Sequence, residues 1–180
     1  MNIKNHLKDR HLELDQYNGI FISEENQLAC FLLWNLSGQI CGYQQYRPLE
    51  TKEKKNNPRE GRYYTSVHGK KYEKPLAIWG LETLNYRQDI LVITEGIFDA
   101  CRFHNYQIPA VALLNSSWKP ARNWLLSINR KIFKGEDDHG SSLGPFENIP
   151  CPESDFGECS DEQIKKIVEK YLRRGVLRVS

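Results

Sequence analysis

The stretch from Ile90 to Lys134 constrains the fold more than any other part of the chain. Ile90-Leu-Val-Ile93 and Ala110-Val-Ala-Leu-Leu114 are continuous apolar runs without the alternation of a half-exposed strand, and Lys131-Ile-Phe-Lys134 is a third short β-prone segment. Runs of this kind belong to strands buried on both faces. Gly96 to Tyr106 can form a helix between the first two, and a second helix starts at Pro120, a residue suited to a first helical turn, and runs to about Ile128. Strand, helix, strand, helix, strand predicts a parallel sheet with helical crossovers. A last helix opens on the capping box Ser160-Asp-Glu-Gln163, places Ile164, Ile167, Val168, Tyr171 and Leu172 on one face, and closes at Arg173-Arg174-Gly175. Val176 to Val179 is read as an edge strand.

The N-terminal part has a different period. Ile20-Phe-Ile22, Leu28-Ala-Cys-Phe-Leu-Leu-Trp34 and Ile40-Cys-Gly-Tyr43 are short apolar runs split by turn-forming polar clusters, which predicts a small antiparallel sheet. Pro48 to Gly61 has no apolar period and reads as a mobile loop. The expected organisation is therefore α/β, α+β overall, with a β-rich subdomain over residues 1–88 carrying a basic loop at 48–74 and a parallel-sheet domain over 89–180. Trp34, Tyr43, Trp79 and Trp124 read as core, whereas Tyr63 and Tyr64 beside Arg62 are candidates for stacking on a base.

Charge is distributed unevenly. Thr51 to Lys74 holds eight Lys and Arg against three Glu, a balance of +5, while Gly135 to Gln163 holds nine acids and no Lys or Arg, a balance of −9, in a chain whose net charge is only +2. A basic and an acidic segment in one small protein suit a site that holds a polyanion together with its cations. Five cysteines without a Cys-x-x-Cys pair encode neither a disulfide framework nor a zinc ribbon, and read mostly as reduced, apolar thiols. No run is long enough to span a bilayer and Met1 to Arg10 lacks an apolar signal core, so the expectation is a cytoplasmic protein with no membrane partner.

In an open α/β sheet, ligands bind beyond the carboxyl ends of the strands. Glu95 directly follows the first buried strand, Gly96 permits a tight turn, and Asp99 falls in the first turn of the next helix. Glu136-Asp137-Asp138-His139 directly follows the third strand. If those strands are neighbours, Glu95, Glu136 and Asp138 converge at one rim. Clustered carboxylates repel unless a cation lies among them, and hard oxygen donors suit Mg2+ or Mn2+, which points to metal-assisted phosphoryl chemistry. The plainer alternative is that Glu95 and Asp99 only favour a helix N-terminus and the acidic run is a solvated turn.

Thr94-Glu95-Gly96-Ile-Phe-Asp99-Ala100 resembles the glutamate motif of Toprim domains, and Glu136-x-Asp138 is similar to their Asp-x-Asp motif, with Glu136 in place of the first aspartate and Gly140 one residue early. Ala112-Leu-Leu-Asn-Ser116 resembles the strand-end segment between those motifs in bacterial and phage DNA primases. Upstream, Gly38-Gln-Ile-Cys-Gly42-Tyr43, Arg62-Tyr-Tyr-Thr-Ser66 and Ile78-Trp-Gly80-Leu81 resemble further primase segments in the same order. The matches cover roughly residues 30 to 140.

The resemblance implies a phage or bacterial primase-like nucleotidyltransferase that makes RNA primers on single-stranded DNA from nucleoside triphosphates in DNA replication. It assigns Glu95 and Asp99 to catalysis and Glu95, Glu136 and Asp138 to Mg2+ or Mn2+. Arg62 stands where the family segment has a lysine. With Lys70, Lys71, Lys74 and Arg47 it is expected to bind phosphate or nucleic acid. The absence of a zinc ribbon and of Gly-x-x-x-x-Gly-Lys-Ser/Thr implies that a separate helicase or zinc-binding protein supplies those functions. A metal-dependent Toprim nuclease and a catalytically inactive nucleic-acid-binding module are the alternatives.

Overall fold

Every residue of the strand Ile90–Thr94 is buried, as its uninterrupted apolar run predicts. The computed structural model describes residues 2–51, 56–69, 75–115, 117–135 and 142–173. Within them the chain divides into two units, Met1–Trp79 and Gly80–Ser180.

In the first unit, α1 (Ile3–Asp9) is followed by an antiparallel sheet of β1 (Ile20–Ser23), β2 (Leu28–Trp34), β3 (Ile40–Tyr46) and β4 (Tyr63–Val67), in sequence order. Asn2 caps α1 through its Oδ1, which accepts from the Asn5 N–H at 3.0 Å. Burial alternates strictly along β2, so Ala29, Phe31 and Leu33 enter the core and Cys30, Leu32 and Trp34 lie on the other face. The register sets Gln44 and Tyr46 on the core face opposite Phe31 and Ala29. α1 meets that face through His6, whose Nε2 is 2.8 Å from the Tyr46 hydroxyl. Trp79 closes it, edge-on to Phe31 and tilted on Tyr17. The turn between β2 and β3 is an Asx turn, in which Asn35 Oδ1 accepts from the N–H groups of Ser37 and Gln39, with Gly38 at φ +74°.

The second unit carries the parallel sheet. Its strands are β5 (Ile90–Thr94), β6 (Ala110–Ala112), β7 (Lys131–Gly135) and β8 (Glu147–Asn148), in spatial order β6-β5-β7-β8, and each neighbouring pair is parallel. Thr94 sits opposite both Ala112 and Gly135, so β5 and its two neighbours end at one level. α2 (Ile97–His104) is buried at all eight positions, polar ones included. α3 (Arg122–Ser127) is shorter than expected because Lys119–Ala121 forms a 3-10 turn before it. α4 (Asp161–Ile167) has the expected capping box and continues into a π-turn at Val168–Leu172. The expected Gly175 cap and Val176–Val179 strand lie outside the described residues. No described helix is long and apolar enough to cross a membrane.

The polar residues buried in α2 draw partners from distant segments, although Arg102 Nε has none among the described residues. Arg102, 1% exposed, donates from Nη2 to the Cys159 carbonyl at 2.7 Å and pairs with Asp161 at 2.9 Å. His104 donates from Nε2 to the Ala110 carbonyl at 2.8 Å, and Thr83 Oγ1 donates to the same carbonyl at 3.0 Å. Burial opposes charging of the imidazole and pushes its pKa from 6.5 down to about 4. The unfolded chain therefore takes up this proton near pH 6.5 while the folded chain resists it until about pH 4. Stability is full above that window and is lost as pH falls through it. Chemical denaturation should show wild type about 2 kcal/mol less stable at pH 5 than at pH 8 through this group. His104→Gln should lack that component, and equal pH dependence in the two proteins would mean that His104 titrates normally.

Candidate active site at the carboxyl ends of the parallel strands

The parallel register brings the ends of β5 and β7 side by side, and the sequence places an acid immediately after each. Glu95 follows Thr94 and is half-buried, and no hydrogen bond or ion pair engages its carboxylate among the described residues. The Glu95 carbonyl accepts from the Leu114 N–H at 3.0 Å, and Thr94 Oγ1 donates to the Gly96 carbonyl at 3.0 Å, so the backbone on both sides of the carboxylate is held. A Cβ at Gly96 would lie 2.7 Å from Asp99 Oδ2, so a larger residue there would have to displace that carboxylate oxygen.

Asp99 is 7% exposed, and its Oδ1 accepts the Gly157 N–H at 3.0 Å. Gly157 lies in the 3-10 turn Phe156–Glu158, whose Phe156 is fully buried against Phe103. The same ring lies 2.9 Å from where a Cβ on Gly135 would stand, which explains a glycine as the last residue of β7. One turn thus supports the first residues beyond β5 and the end of β7. Sequence patterns miss this support, since a backbone N–H donor leaves no side-chain signature. In the same turn, Asp155 Oδ1 is buried and has no hydrogen-bond partner among the described residues.

Glu136 and Asp138, the other expected metal ligands, lie outside the described residues, as do Lys70, Lys71 and Lys74. Among the described residues no group of three or more His, Cys, Asp or Glu is placed to hold a metal ion. Glu95, Glu136 and Asp138 are hard carboxylate donors, a set that fits Mg2+ or Mn2+ and not a thiolate-bound zinc.

The first unit contains the remaining expected binding residues. Arg62 donates from Nε to the Glu50 carbonyl at 2.6 Å, which ties its guanidinium to the turn at Pro48–Glu50, and Arg47 donates from Nη1 to Gln45 Oε1 at 3.3 Å. Tyr63 stacks on Tyr46, with ring centroids 5.1 Å apart. Tyr43, expected in the core, is half-exposed on the face away from it. His68, Tyr43, Tyr64 and Arg59 form a row there, with successive separations of 6.4, 6.3 and 5.8 Å. Trp79 is core, as expected, while Trp34 and Trp124 are half-exposed. The signal for the row is the two-residue period of β3, where Tyr43 and Gln45 alternate with buried Gln44 and Tyr46.

An antiparallel four-stranded sheet followed by a parallel one flanked by helices is the architecture of the catalytic cores of bacterial and phage primases. The primase fragment of the bacteriophage T7 primase-helicase matches 78% of this chain and 62% of its own at 17% identity, with a TM-score of 0.55. The zinc-binding and RNA polymerase domains of the Aquifex aeolicus primase match 94% and 45% at 20% identity and a TM-score of 0.54. The RNA polymerase domain of Mycobacterium tuberculosis primase DnaG matches 93% and 63% at 14% identity and a TM-score of 0.52. This chain therefore spans about half to two thirds of those proteins, and identities this low establish likeness of fold alone. No protein-family model matches the sequence, and no curated protein sequence matches it.

Asp99→Ala should lower stability by about 1–3 kcal/mol, because it leaves a buried N–H of Gly157 without its acceptor. Thermal unfolding should register a fall in Tm of roughly 2–10 °C. Asp99→Asn keeps an oxygen in place and should lose less, and equal losses would show that the Gly157 contact is unimportant.

Proposed function

We propose that this chain is a primase-like nucleotidyltransferase module that forms or extends RNA on single-stranded DNA, with Mg2+ or Mn2+ held by Glu95 together with Glu136 and Asp138. The observation that carries the reading is the register of β5 with β7, which ends both strands at one rim immediately before an acid in each. The fold adds support. Neighbours of the same architecture were solved with double-stranded DNA, with single-stranded DNA and with an RNA/DNA hybrid.

When bound, the metal supplies positive charge that neutralises triphosphate oxygens and makes a sugar hydroxyl a better nucleophile. Asp99, anchored by Gly157, fixes the turn that carries Glu95. Lys70, Lys71 and Lys74 belong to the basic segment assigned to phosphate, because a rim of carboxylates by itself repels nucleic acid. Arg47 and Arg62 are assigned to the same work, with part of each guanidinium already spent on fixing local structure. The row of Tyr43, Tyr64 and Arg59 offers two aromatic faces and a cation, the combination that holds unpaired bases without reading their sequence.

Labelled ribonucleotide incorporation on single-stranded DNA, with Mg2+ or Mn2+, should occur with wild type and fall to background with Glu95→Gln. Equal incorporation by both proteins would remove Glu95 from the mechanism, and metal-dependent shortening of nucleic acid without nucleotides would indicate a nuclease instead. Separately, fluorescence anisotropy with a labelled single-stranded oligonucleotide should show that Tyr43→Ala and Tyr64→Ala each weaken binding by roughly tenfold. Phenylalanine at either position should restore it, and unaltered affinity in the alanine variants would rule out stacking on this face.

A further inference from the structure

Two cysteines eight positions apart lie in contact beside the turn that holds Asp99. The Sγ atoms of Cys151 and Cys159 are 3.7 Å apart, and Cys159 Sγ is also 3.7 Å from the Asp155 carbonyl oxygen. We propose that Cys151 and Cys159 form a redox-active thiol pair that closes to a disulfide by exchange with a small disulfide of the oxidised glutathione type. The inference is independent of the nucleotidyltransferase reading and concerns a site with its own chemistry.

The two thiols differ in surroundings as an attacking and a resolving thiol should. Cys159 is 1% exposed, and burial pushes its pKa up, which keeps it protonated and unreactive toward reagents in solution. Its carbonyl is clamped by Arg102 at 2.7 Å, and the α4 cap Ser160 follows directly, so its position is fixed from both sides. Cys151 is half-exposed between Pro150 and Pro152. It lines an open cleft of about 290 Å³ together with Gln163, Lys166, Lys170 and Tyr171. The two lysines place positive charge where an anionic disulfide would dock. Cys30, Cys41 and Cys101 do not line this cleft.

Exchange then balances in two steps. The Cys151 thiolate attacks one sulfur of the incoming disulfide, that S–S bond breaks, and one glutathione thiolate leaves. Cys159, giving up its proton, attacks Cys151 Sγ and expels the second glutathione as a thiol. Two protein thiols are oxidised and one external disulfide is reduced to two thiols. Bond formation needs the sulfurs to close from 3.7 Å to roughly 2.05 Å. The bridge closes a nine-residue ring containing Phe156 and Gly157. Oxidation therefore staples the turn that holds Asp99 and packs on Gly135.

The test is incubation of the folded full chain in reduced and oxidised glutathione mixtures, acid quenching, alkylation of remaining thiols after unfolding, and peptide mass spectrometry. Oxidising mixtures should yield a Cys151–Cys159 bridged peptide lighter by two hydrogens, with Cys30, Cys41 and Cys101 still alkylated. Cys159→Ser should stop the reaction at glutathione bound to Cys151, and Cys151→Ser should leave Cys159 unmodified. Disulfide closure should also raise Tm by roughly 5–10 °C, a readout that needs no variant. Absence of the bridged peptide, bridging through any other cysteine, or glutathione persisting on Cys151 in the wild type would overturn the proposal.

Discussion

β5 has no side facing solvent, and the C-terminal unit is arranged around that condition. A strand buried on both faces cannot hand its N–H and C=O groups to water, so neighbouring strands must take them. β6 and β7 do so in parallel, which obliges the chain to leave all three strands at the same end of the sheet. Polar residues that the core rejects collect where the strands stop. Glu95 accordingly follows the last buried residue of β5, and in the sequence the Glu136 run directly follows Gly135, the last residue of β7.

The rim is held from a distance. Asp99 receives its hydrogen bond from Gly157, 58 positions along the chain, and Phe156 in the same turn fills the space left open by Gly135. Arg102 secures the far end of that turn through the Cys159 carbonyl and Asp161. A buried guanidinium without such partners would cost several kcal/mol, so the contacts that place the turn also make Arg102 tolerable inside α2.

β1 to β3 and β5 to β7 were legible because burial writes itself into side-chain type, whereas β4 (Tyr63–Val67), mostly polar and half-exposed, falls inside the 48–74 segment that reads as a basic loop. Ile90 to Ile93 is apolar throughout, and Leu28 to Trp34 was marked by apolar density between turn-forming clusters. β8 was illegible for the same reason in reverse, since Glu147 and Asn148 are polar and exposed and join the sheet only through pairing with Phe133 and Lys134. Glu95 and Asp99 could be placed by their distance from a strand end. Tyr43 was read as core because aromatic character alone says nothing about which face of a strand a residue occupies. The face becomes readable only through register, where Tyr43 falls opposite Ser66 and out of line with Gln44 and Tyr46. Gly157 and the meeting of Cys151 with Cys159 depend on tertiary packing of a segment with no periodic signal.

β8 also determines how the parallel sheet stops. An exposed strand of ordinary length would offer a row of unsatisfied donors and acceptors to any passing extended segment, including one from another copy of the chain. Two residues offer almost no such row, and Glu147 reaches across to Lys131 at 2.7 Å, leaving charge along the border. That ion pair is half-exposed and adds little to folding energy. Its effect lies in what it discourages: a strand seeking to extend this sheet meets a short, charged margin, which protects the protein against edge-to-edge aggregation.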